Sequence, residues 1–220
     1  WNVSQFAPFG TVGVGGSANI IEGWPFGTGG ARTFVRSANS LGYLLPRNLG
    51  GVYGQAMVAA AEGADGARYT GARLGYAAGP VDVAVAYGET PAKGQTSKVA
   101  NIGGSYNFGV AKLMGYWLDL RAAGTKHSNW LLGATVPVGE VGTVRVSVAE
   151  AKAHGTGVAG DSARQIAVGY VHALSKRTAL YGAYSRITNR GNAAFSTSES
   201  PEGAPGANAS GLQLGISHNF

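Results

Sequence analysis

The feature that most constrains this sequence is a strict two-residue alternation in its last segment, Ser210 to Phe220. Because successive side chains of a β-strand point to opposite faces, such a segment has one apolar face and one small, polar face. The same pattern recurs along most of the chain, without a helical periodicity that could supply a cover for the apolar face. A closed β-barrel in a lipid bilayer accounts for this pattern, since its apolar face contacts hydrocarbon and its polar face contacts water. The apolar parity carries Leu212, Leu214, Ile216, His218 and Phe220, and the other parity carries Gln213, Gly215, Ser217 and Asn219.

The composition excludes several other classes of protein. Glycine accounts for 37 of the 220 residues, well above the usual share of about 7%, and it is useful in tight turns and on crowded strand faces. Without cysteine there are no disulfides, zinc–thiolate sites or thiol catalysis. No apolar run is long enough for a membrane helix. The net charge of +6 comes without a cluster of Lys and Arg, so we expect no nucleic-acid partner.

The alternation predicts an all-β chain of eleven strands, each near the ~9–11 residues of a tilted membrane strand or slightly longer. Short connections alternate with generally longer, polar ones, as in outer-membrane barrels with periplasmic turns and extracellular loops. The predicted strands are 33–45, 50–62, 67–78, 80–88, 97–107, 110–121, 128–138, 141–152, 163–174, 178–189 and 210–220. The short connections are 46–48, 79–80, 108–109, 139–140 and 175–177, and the longer ones are 63–66, 89–96, 122–127, 153–162 and 190–209.

Parity assigns the two faces of most of these strands. Aromatic residues near strand ends are typical of the girdle at a bilayer interface. The segment from Lys112 to Leu120 is ambiguous, because apolar residues occupy both of its parities. The predicted lipid-facing stripes are Leu41, Tyr43 and Leu45; Leu74 and Tyr76; Val81, Val83, Val85 and Tyr87; Trp130, Leu132, Ala134, Val136 and Val138; Val144, Val146 and Val148; and Ile166, Val168 and Tyr170. The predicted girdle is Tyr43, Tyr76, Tyr87, Tyr106, Tyr170 and Phe220.

The strand count indicates a chain that is part of something larger. Single-chain bacterial barrels have an even number of strands, so eleven strands predict the C-terminal two-thirds of a larger barrel. The alternative is that residues 1–14 form a twelfth strand and the chain is complete. Trp1-Asn2-Val3 lacks the basic and apolar regions of a signal peptide. We therefore expect that a signal peptide has been removed or that the chain begins partway through a protein.

Three blocks of the sequence resemble Gram-negative general porins, most nearly their betaproteobacterial branch, and the likeness covers essentially the whole chain. Residues 36–43 with Pro46, followed by 50–55, resemble the strand pair after the constriction loop. Residues 174–178, with Leu180, Tyr181 and Tyr184, are similar to the penultimate periplasmic turn and the ascending strand after it. The C-terminal Phe220, with the alternating residues Leu212, Leu214, Ile216 and His218, is similar to the signal that the barrel-assembly machinery reads.

The resemblance implies a transmembrane antiparallel up-and-down β-barrel of sixteen strands that assembles as a homotrimer. Residues 1–31 would be the constriction loop that folds into the bore. Residues 32–220 would supply strands six to sixteen, with short periplasmic turns and long extracellular loops. This agrees with the strand count above.

Charged residues of lumen parity are the candidate pore residues. A charge facing lipid costs about 2–4 kcal/mol at the bilayer midplane, so arginines within strands should face water. The resemblance implies that an acid of the constriction loop faces basic residues of the barrel. The candidates are Glu22 on the loop, Arg32 where the loop rejoins the barrel, Arg36, Arg73 and Arg145 at lumen parity within strands, and Asp82 near a periplasmic mouth. The alternative for Glu22 is an ordinary solvated loop carboxylate.

We expect a passive outer-membrane channel for small hydrophilic solutes and ions with a weak to moderate anion preference, because arginines outnumber acids at lumen parity. Many acids lie instead in or beside the predicted extracellular loops: Glu62, Asp65, Glu89, Asp161, Glu199 and Glu202. A substrate-specific channel for small anions and a non-conducting adhesin or anchor are the alternatives. Expected partners are two further copies of the chain, membrane lipid and lipopolysaccharide, the barrel-assembly machinery, and the transported ions and solutes.

We expect no enzymatic activity, cofactor or metal. The four histidines are scattered, without a catalytic partner at a recognisable spacing. A second interpretation of the extracellular acids is that they bind divalent cations bridging lipopolysaccharide phosphates.

Overall fold

A computed structural model describes residues 4–9, 20, 31, 33, 37–155, 157–197 and 204–219. A short 3₁₀ turn at Ser4–Phe6 precedes eleven strands. The strands are β1 (Ser40–Leu44), β2 (Val52–Ala59), β3 (Tyr69–Ala78), β4 (Val81–Ala92), β5 (Gln95–Asn107), β6 (Lys112–Ala122), β7 (Thr125–Val138), β8 (Gly142–His154), β9 (Ser162–Ala173), β10 (Thr178–Arg190) and β11 (Ala209–His218).

The strands form one sheet in sequential order from β1 to β11, and every neighbouring pair is antiparallel. The predicted all-β, up-and-down architecture and its eleven strands are confirmed. In the part of the chain that the structure describes, no helix has the length and hydropathy to cross a membrane. The first strand is shorter than predicted, because Thr33 and residues 37–39 lie outside it and Asn39 has a left-handed φ of 50°.

Two predicted loops are wrong. Strand β4 continues to Ala92 and β5 begins at Gln95, so residues 89–96 form the end of a hairpin with a two-residue turn. Both turn residues, Lys93 and Gly94, have positive φ (50° and 72°), as type I′ hairpins require. The same turn at Ala123 and Gly124 replaces the predicted loop 122–127. These segments are polar because the strands continue through them with a charged outer face. They are not loops.

The outer face of the sheet is apolar and exposed, as predicted. Leu74 is 54% exposed, Ile166 60% and Leu214 74%. Together such side chains form a contiguous apolar surface, which is unfavourable in water. Tyr106 lies at the end of β5 beside Phe108, with ring centroids 4.5 Å apart. Tyr76 and Tyr170 occupy similar places near the ends of β3 and β9. These aromatic residues lie near strand ends, as predicted for a girdle.

Tyr87 differs from the other tyrosines of the predicted girdle. It lies well inside β4 because that strand extends to Ala92. The next residue on the same face, Glu89, begins a charged region, so Tyr87 marks the upper boundary of the apolar stripe.

The opposite face, here called the inner face, is largely buried. Strand β6 turns Met114, Tyr116, Leu118 and Leu120 to this face and leaves Leu113 and Trp117 exposed on the outer face. The ambiguity of this segment in the sequence therefore has a structural cause, since both of its faces contact apolar groups. On the inner face these side chains join a buried cluster with Phe6 and Ile20, which precede the first strand.

Candidate functional site on the inner face of the sheet

A short piece of chain, Gln5–Phe9, lies across the inner face and is here called the inner segment. It contacts three strands at positions where the sheet has glycine, and a Cβ at any of the three would overlap a ring of the segment. Glycine is thus required by close approach. The contacts are Phe6 with Gly103 on β5, Pro8 with Gly133 on β7 and Phe9 with Gly169 on β9.

Burial fixes the two phenylalanines of the inner segment. Phe6 is 0% exposed and Phe9 is 1% exposed, and Phe9 packs with Ala167 and Ala183 on the inner face. Complete burial of a phenylalanine contributes about 1.5–3 kcal/mol relative to exposure. The segment is therefore packed against the sheet by apolar contact.

A polar network joins the inner segment to β2, β3 and β4. The Arg73 Nη1 donates to Gln5 Oε1 at 2.9 Å, and Gln5 Nε2 donates to the Tyr53 hydroxyl at 2.9 Å. Tyr53 in turn donates to Asp82 Oδ1 at 2.6 Å. The Arg73 guanidinium lies 5.8 Å from the centroid of the Tyr53 ring, within cation–π range. Two predicted pore residues, Arg73 and Asp82, thus belong to one network.

Tyr53 is the member of this network that the sequence analysis missed. Its ring lies over Gly75, the residue directly across from it on β3, and this glycine leaves room for the ring. The pairing of an inward tyrosine with a glycine on the next strand is a signal that could have identified it. Asp82 lies second in β4, close to the turn as predicted, and its contact with Tyr53 ties it to the inner segment.

Arg145 lies on β8 and contacts the other end of the inner segment. Its Nη1 donates to the Pro8 carbonyl oxygen at 3.2 Å, and the side chain is half-buried. Arg73 and Arg145 therefore both have the predicted inward direction, and each binds the inner segment. Lys112 shares the inner parity of β6, a further cation that the ambiguous pattern of that segment concealed.

Three of the predicted pore residues, Glu22, Arg32 and Arg36, lie outside the described residues. Thr33 is buried, and its Oγ1 lies 2.5 Å from Thr90 Oγ1 on β4. The chain therefore meets the inner face at Thr33, shortly before β1.

Four of the five residues of the predicted assembly signal lie on the last strand, β11. Leu212, Leu214 and Ile216 are exposed on its outer face. The His218 Nδ1 lies 2.8 Å from Thr178 Oγ1 on β10, and Phe220 lies outside the described residues. The role in assembly stays a prediction.

A second piece of chain covers the inner face near its other end. The Asn189 side chain on β10 donates to the carbonyl oxygens of Phe195 (2.9 Å) and Ala207 (2.6 Å) and accepts from the Phe195 N–H at 3.2 Å. Ala193 and Phe195 join the buried cluster of the inner face. The sequence predicts a polar extracellular loop over residues 190–209. Part of it folds inward because Phe195 is apolar and Asn189 binds its backbone.

Among the described residues, no group of three or more His, Asp or Glu side chains could hold a metal ion. His127, His154, His172 and His218 lie on four different strands, β7, β8, β9 and β11. His172 contacts Tyr170, with its Nδ1 3.1 Å from the hydroxyl.

Comparison with known proteins identifies a family and finds solved structures with the same fold. Residues 2–192 match the family described as Gram-negative porin. The outer membrane porin protein 32 of Delftia acidovorans is 32% identical over 246 aligned residues, which cover 99% of this chain and 66% of that protein.

Solved structures of outer-membrane proteins have the same fold as this chain. An anion-selective porin from Comamonas acidovorans superimposes with a TM-score of 0.79 at 31% identity, over 91% of this chain and 65% of that one. The OmpT protein of Vibrio cholerae shares the fold with a TM-score of 0.68 at 11% identity, over 81% of this chain and 64% of that one. The chain thus spans just under two thirds of the length of these relatives. With a family match along most of its residues and a sheet that superimposes on porin barrels, the chain belongs to the Gram-negative porin family and is integral to the outer membrane.

Proposed function

We propose that the complete protein is a passive diffusion channel for small hydrophilic solutes and ions, with a weak to moderate preference for anions. The observation that carries this proposal is the pair Arg73 and Arg145, which turn inward from the sheet and bind the inner segment at Gln5 and Pro8. Inward guanidiniums favour anions in a water-filled pore. The similar protein from Comamonas acidovorans is an anion-selective porin, which supports a preference for anions over cations here.

Residues 1–31 form the constriction loop in this proposal. The inner segment supports it, because Gln5–Phe9 already crosses the inner face and buries Phe6, Pro8 and Phe9 there. Glu22 would supply the acid of the narrowest part, and Arg32 and Arg36 would join Arg73 and Arg145 opposite it. Asp82 would lie at the periplasmic mouth.

In this proposal the protein carries out no chemical reaction and uses no cofactor. We propose that it assembles as a homotrimer, contacts lipopolysaccharide and other membrane lipid, and uses the C-terminal strand as its signal for the barrel-assembly machinery. The exposed leucines of β11 support this use of the strand.

The test is the reversal potential of the purified full-length protein in a planar bilayer under a salt gradient. A unit charge about 6 Å from a passing ion contributes about 0.7 kcal/mol through water, or roughly a threefold change in local ion concentration. The same charge repels cations as much as it attracts anions, so the ratio responds to the square of this factor, and screening at about 0.1 M salt reduces the response. Arg73→Gln and Arg145→Gln should therefore each lower the anion-to-cation permeability ratio about three- to fourfold at about 0.1 M salt. Glutamine can still donate a hydrogen bond, so the change isolates the charge.

Arg47→Gln is the matched control, because Arg47 is exposed in the turn between β1 and β2 and should leave the ratio unchanged. A cation-favouring wild type would retain the channel and refute the proposed role of the arginines. Folded protein without conductance would refute the channel and favour a barrel that serves as an anchor.

A further inference from the structure

The outer face carries a band of charged residues beyond its apolar stripes. The band lies at the strand ends joined by the connections 60–68, 155–161 and 191–208, the end predicted to face the cell exterior. On β4 to β7 its charges are paired with one another. The ion pairs are Lys98–Glu89 (3.3 Å), Arg121–Asp119 (3.2 Å) and Lys126–Asp119 (3.1 Å).

On β9 and β10 the band is different, because it holds three arginines around an open groove of about 550 Å³. Arg164, Arg186 and Arg190 line it and are exposed, and the hydroxyl groups of Ser162 and Thr188 lie among them. Of the ion pairs formed between described residues, none involves these arginines.

The strand register brings the three guanidinium groups into one cluster. Thr188 pairs directly with Arg164, and Arg186 and Arg190 lie two residues to either side of Thr188 on the same face. Both are therefore diagonal neighbours of Arg164, at a distance of about 7–8 Å that long side chains can bridge. Like charges so placed repel each other, so the cluster favours an anion between them.

The one acid that lines the groove already has partners. Glu150 lies directly across from Arg164 on β8. Its Oε1 accepts from Lys152 Nζ at 3.0 Å, and its Oε2 accepts from the Trp130 indole N–H at 3.0 Å. Since Lys152 balances its charge, Glu150 leaves the three arginines available to an external anion.

The groove lies immediately above the lipid-facing apolar stripe. Arg186 pairs with Ile166, which is 60% exposed and also lines the groove. Tyr184, 45% exposed, continues the apolar stripe below Arg186. A ligand at this place would put an anionic head among the arginines and its hydrocarbon against Ile166 and Tyr184. This is the chemistry of an anionic lipid at a membrane interface.

We propose that Arg164, Arg186 and Arg190 bind a phosphate group of lipopolysaccharide on the outer face of the barrel. Arginine forks bind phosphate oxygens in bidentate fashion, and the two hydroxyl groups can donate to the remaining oxygens. This site rests on the proposed contact with lipopolysaccharide but is independent of conduction, because its side chains point away from the bore.

The experiment measures binding of purified lipopolysaccharide to the delipidated full-length protein in detergent, by native mass spectrometry. The variant is the triple R164Q/R186Q/R190Q. Its matched control is R47Q/K176Q/R177Q, which removes the same charge from exposed turns at the other end of the strands. The probes are phosphorylated lipopolysaccharide, the same molecule after chemical dephosphorylation, phosphatidylglycerol and inorganic phosphate. Folding is verified by heat-modifiable migration in gels, and conductance is recorded on the same preparations.

Basic residues near an anionic lipid surface contribute about 1 kcal/mol each, so the triple variant should lose lipopolysaccharide affinity about 30- to 150-fold. Dephosphorylation should weaken binding to the wild type by a similar factor and remove the difference between wild type and variant. The control triple should bind as the wild type does. If the triple variant does not fold, single Arg→Gln variants should each lose about three- to fivefold.

Equal affinity of the wild type and the R164Q/R186Q/R190Q protein would overturn the proposal, as would an equal loss in the control. Phosphatidylglycerol or inorganic phosphate bound as tightly as lipopolysaccharide would overturn the choice of ligand. Loss of subunit association with unchanged lipid binding would reassign this face to a subunit contact. A protein that binds lipopolysaccharide through these arginines but does not conduct would refute the channel and leave this site standing.

Discussion

Phe6→Ala is the substitution that tests most directly how the inner segment is held. Phe6 is 0% exposed and lies over Gly103 of β5. Replacement of a fully buried phenylalanine by alanine typically costs about 3–5 kcal/mol, because transfer energy is lost and a cavity remains. The strand pairing does not depend on Phe6, so this cost should fall on the docking of the segment and not on the sheet.

A loss of about 3 kcal/mol shifts the ratio of docked to released segment by roughly 150-fold. Single-channel recordings of the full-length protein should show this as larger or more variable conductance, with more frequent transitions between levels. The midpoint of thermal unfolding should change little. Phe108→Ala is the control, since Phe108 is 57% exposed at the turn after β5.

Gly103→Ala tests the same contact from the other side. A Cβ at this position would overlap the Phe6 ring, so the single substitution should resemble Phe6→Ala. The double variant should be less affected than the sum of the two, because neighbours in contact are not additive. Unchanged conductance and noise in Phe6→Ala, or strict additivity in the double variant, would refute the packing argument.

Two further substitutions test the polar contacts of the inner face. Tyr53→Phe removes the donor to Asp82 and should lower the free energy of unfolding by about 1–2 kcal/mol. The measurement is urea-induced unfolding of the protein in lipid vesicles, and an unchanged midpoint would contradict the network. Asn189→Ala removes three hydrogen bonds to loop backbone, so protease cleavage near Phe195 should accelerate roughly tenfold or more. The exposed Asn192→Ala is its control, and equal cleavage in both variants would show that Asn189 does not hold the loop.

The strands and their two faces could be predicted because they follow from local chemistry. A period of two residues is enough to place Val83 and Val85, or Leu212 and Leu214, on one face, and that face is exposed along the sheet. The ends of strands were harder to predict, because polarity alone does not separate a loop from a charged strand end. Lys93 and Gly94 were assigned to a long loop, whereas they are the whole turn.

The candidate site was predictable only in part. The inward direction of Arg73 and Arg145 followed from parity and from the cost of a charge in lipid. Their partners did not, because Gln5 and Pro8 are far from them in sequence. The link from Tyr53 to Asp82 likewise joins strands that are not neighbours in the sheet.

The sequence by itself determined the class of fold and the face that meets lipid, since both depend on the alternation of neighbouring residues. The order of the strands followed from the short connections between successive strands. The tertiary structure alone decided which glycines lie beneath the inner segment, which arginines hold it and which arginines cluster on the outer face. Those facts depend on strand register, and register brings together residues such as Arg164 and Arg186 that no local pattern connects.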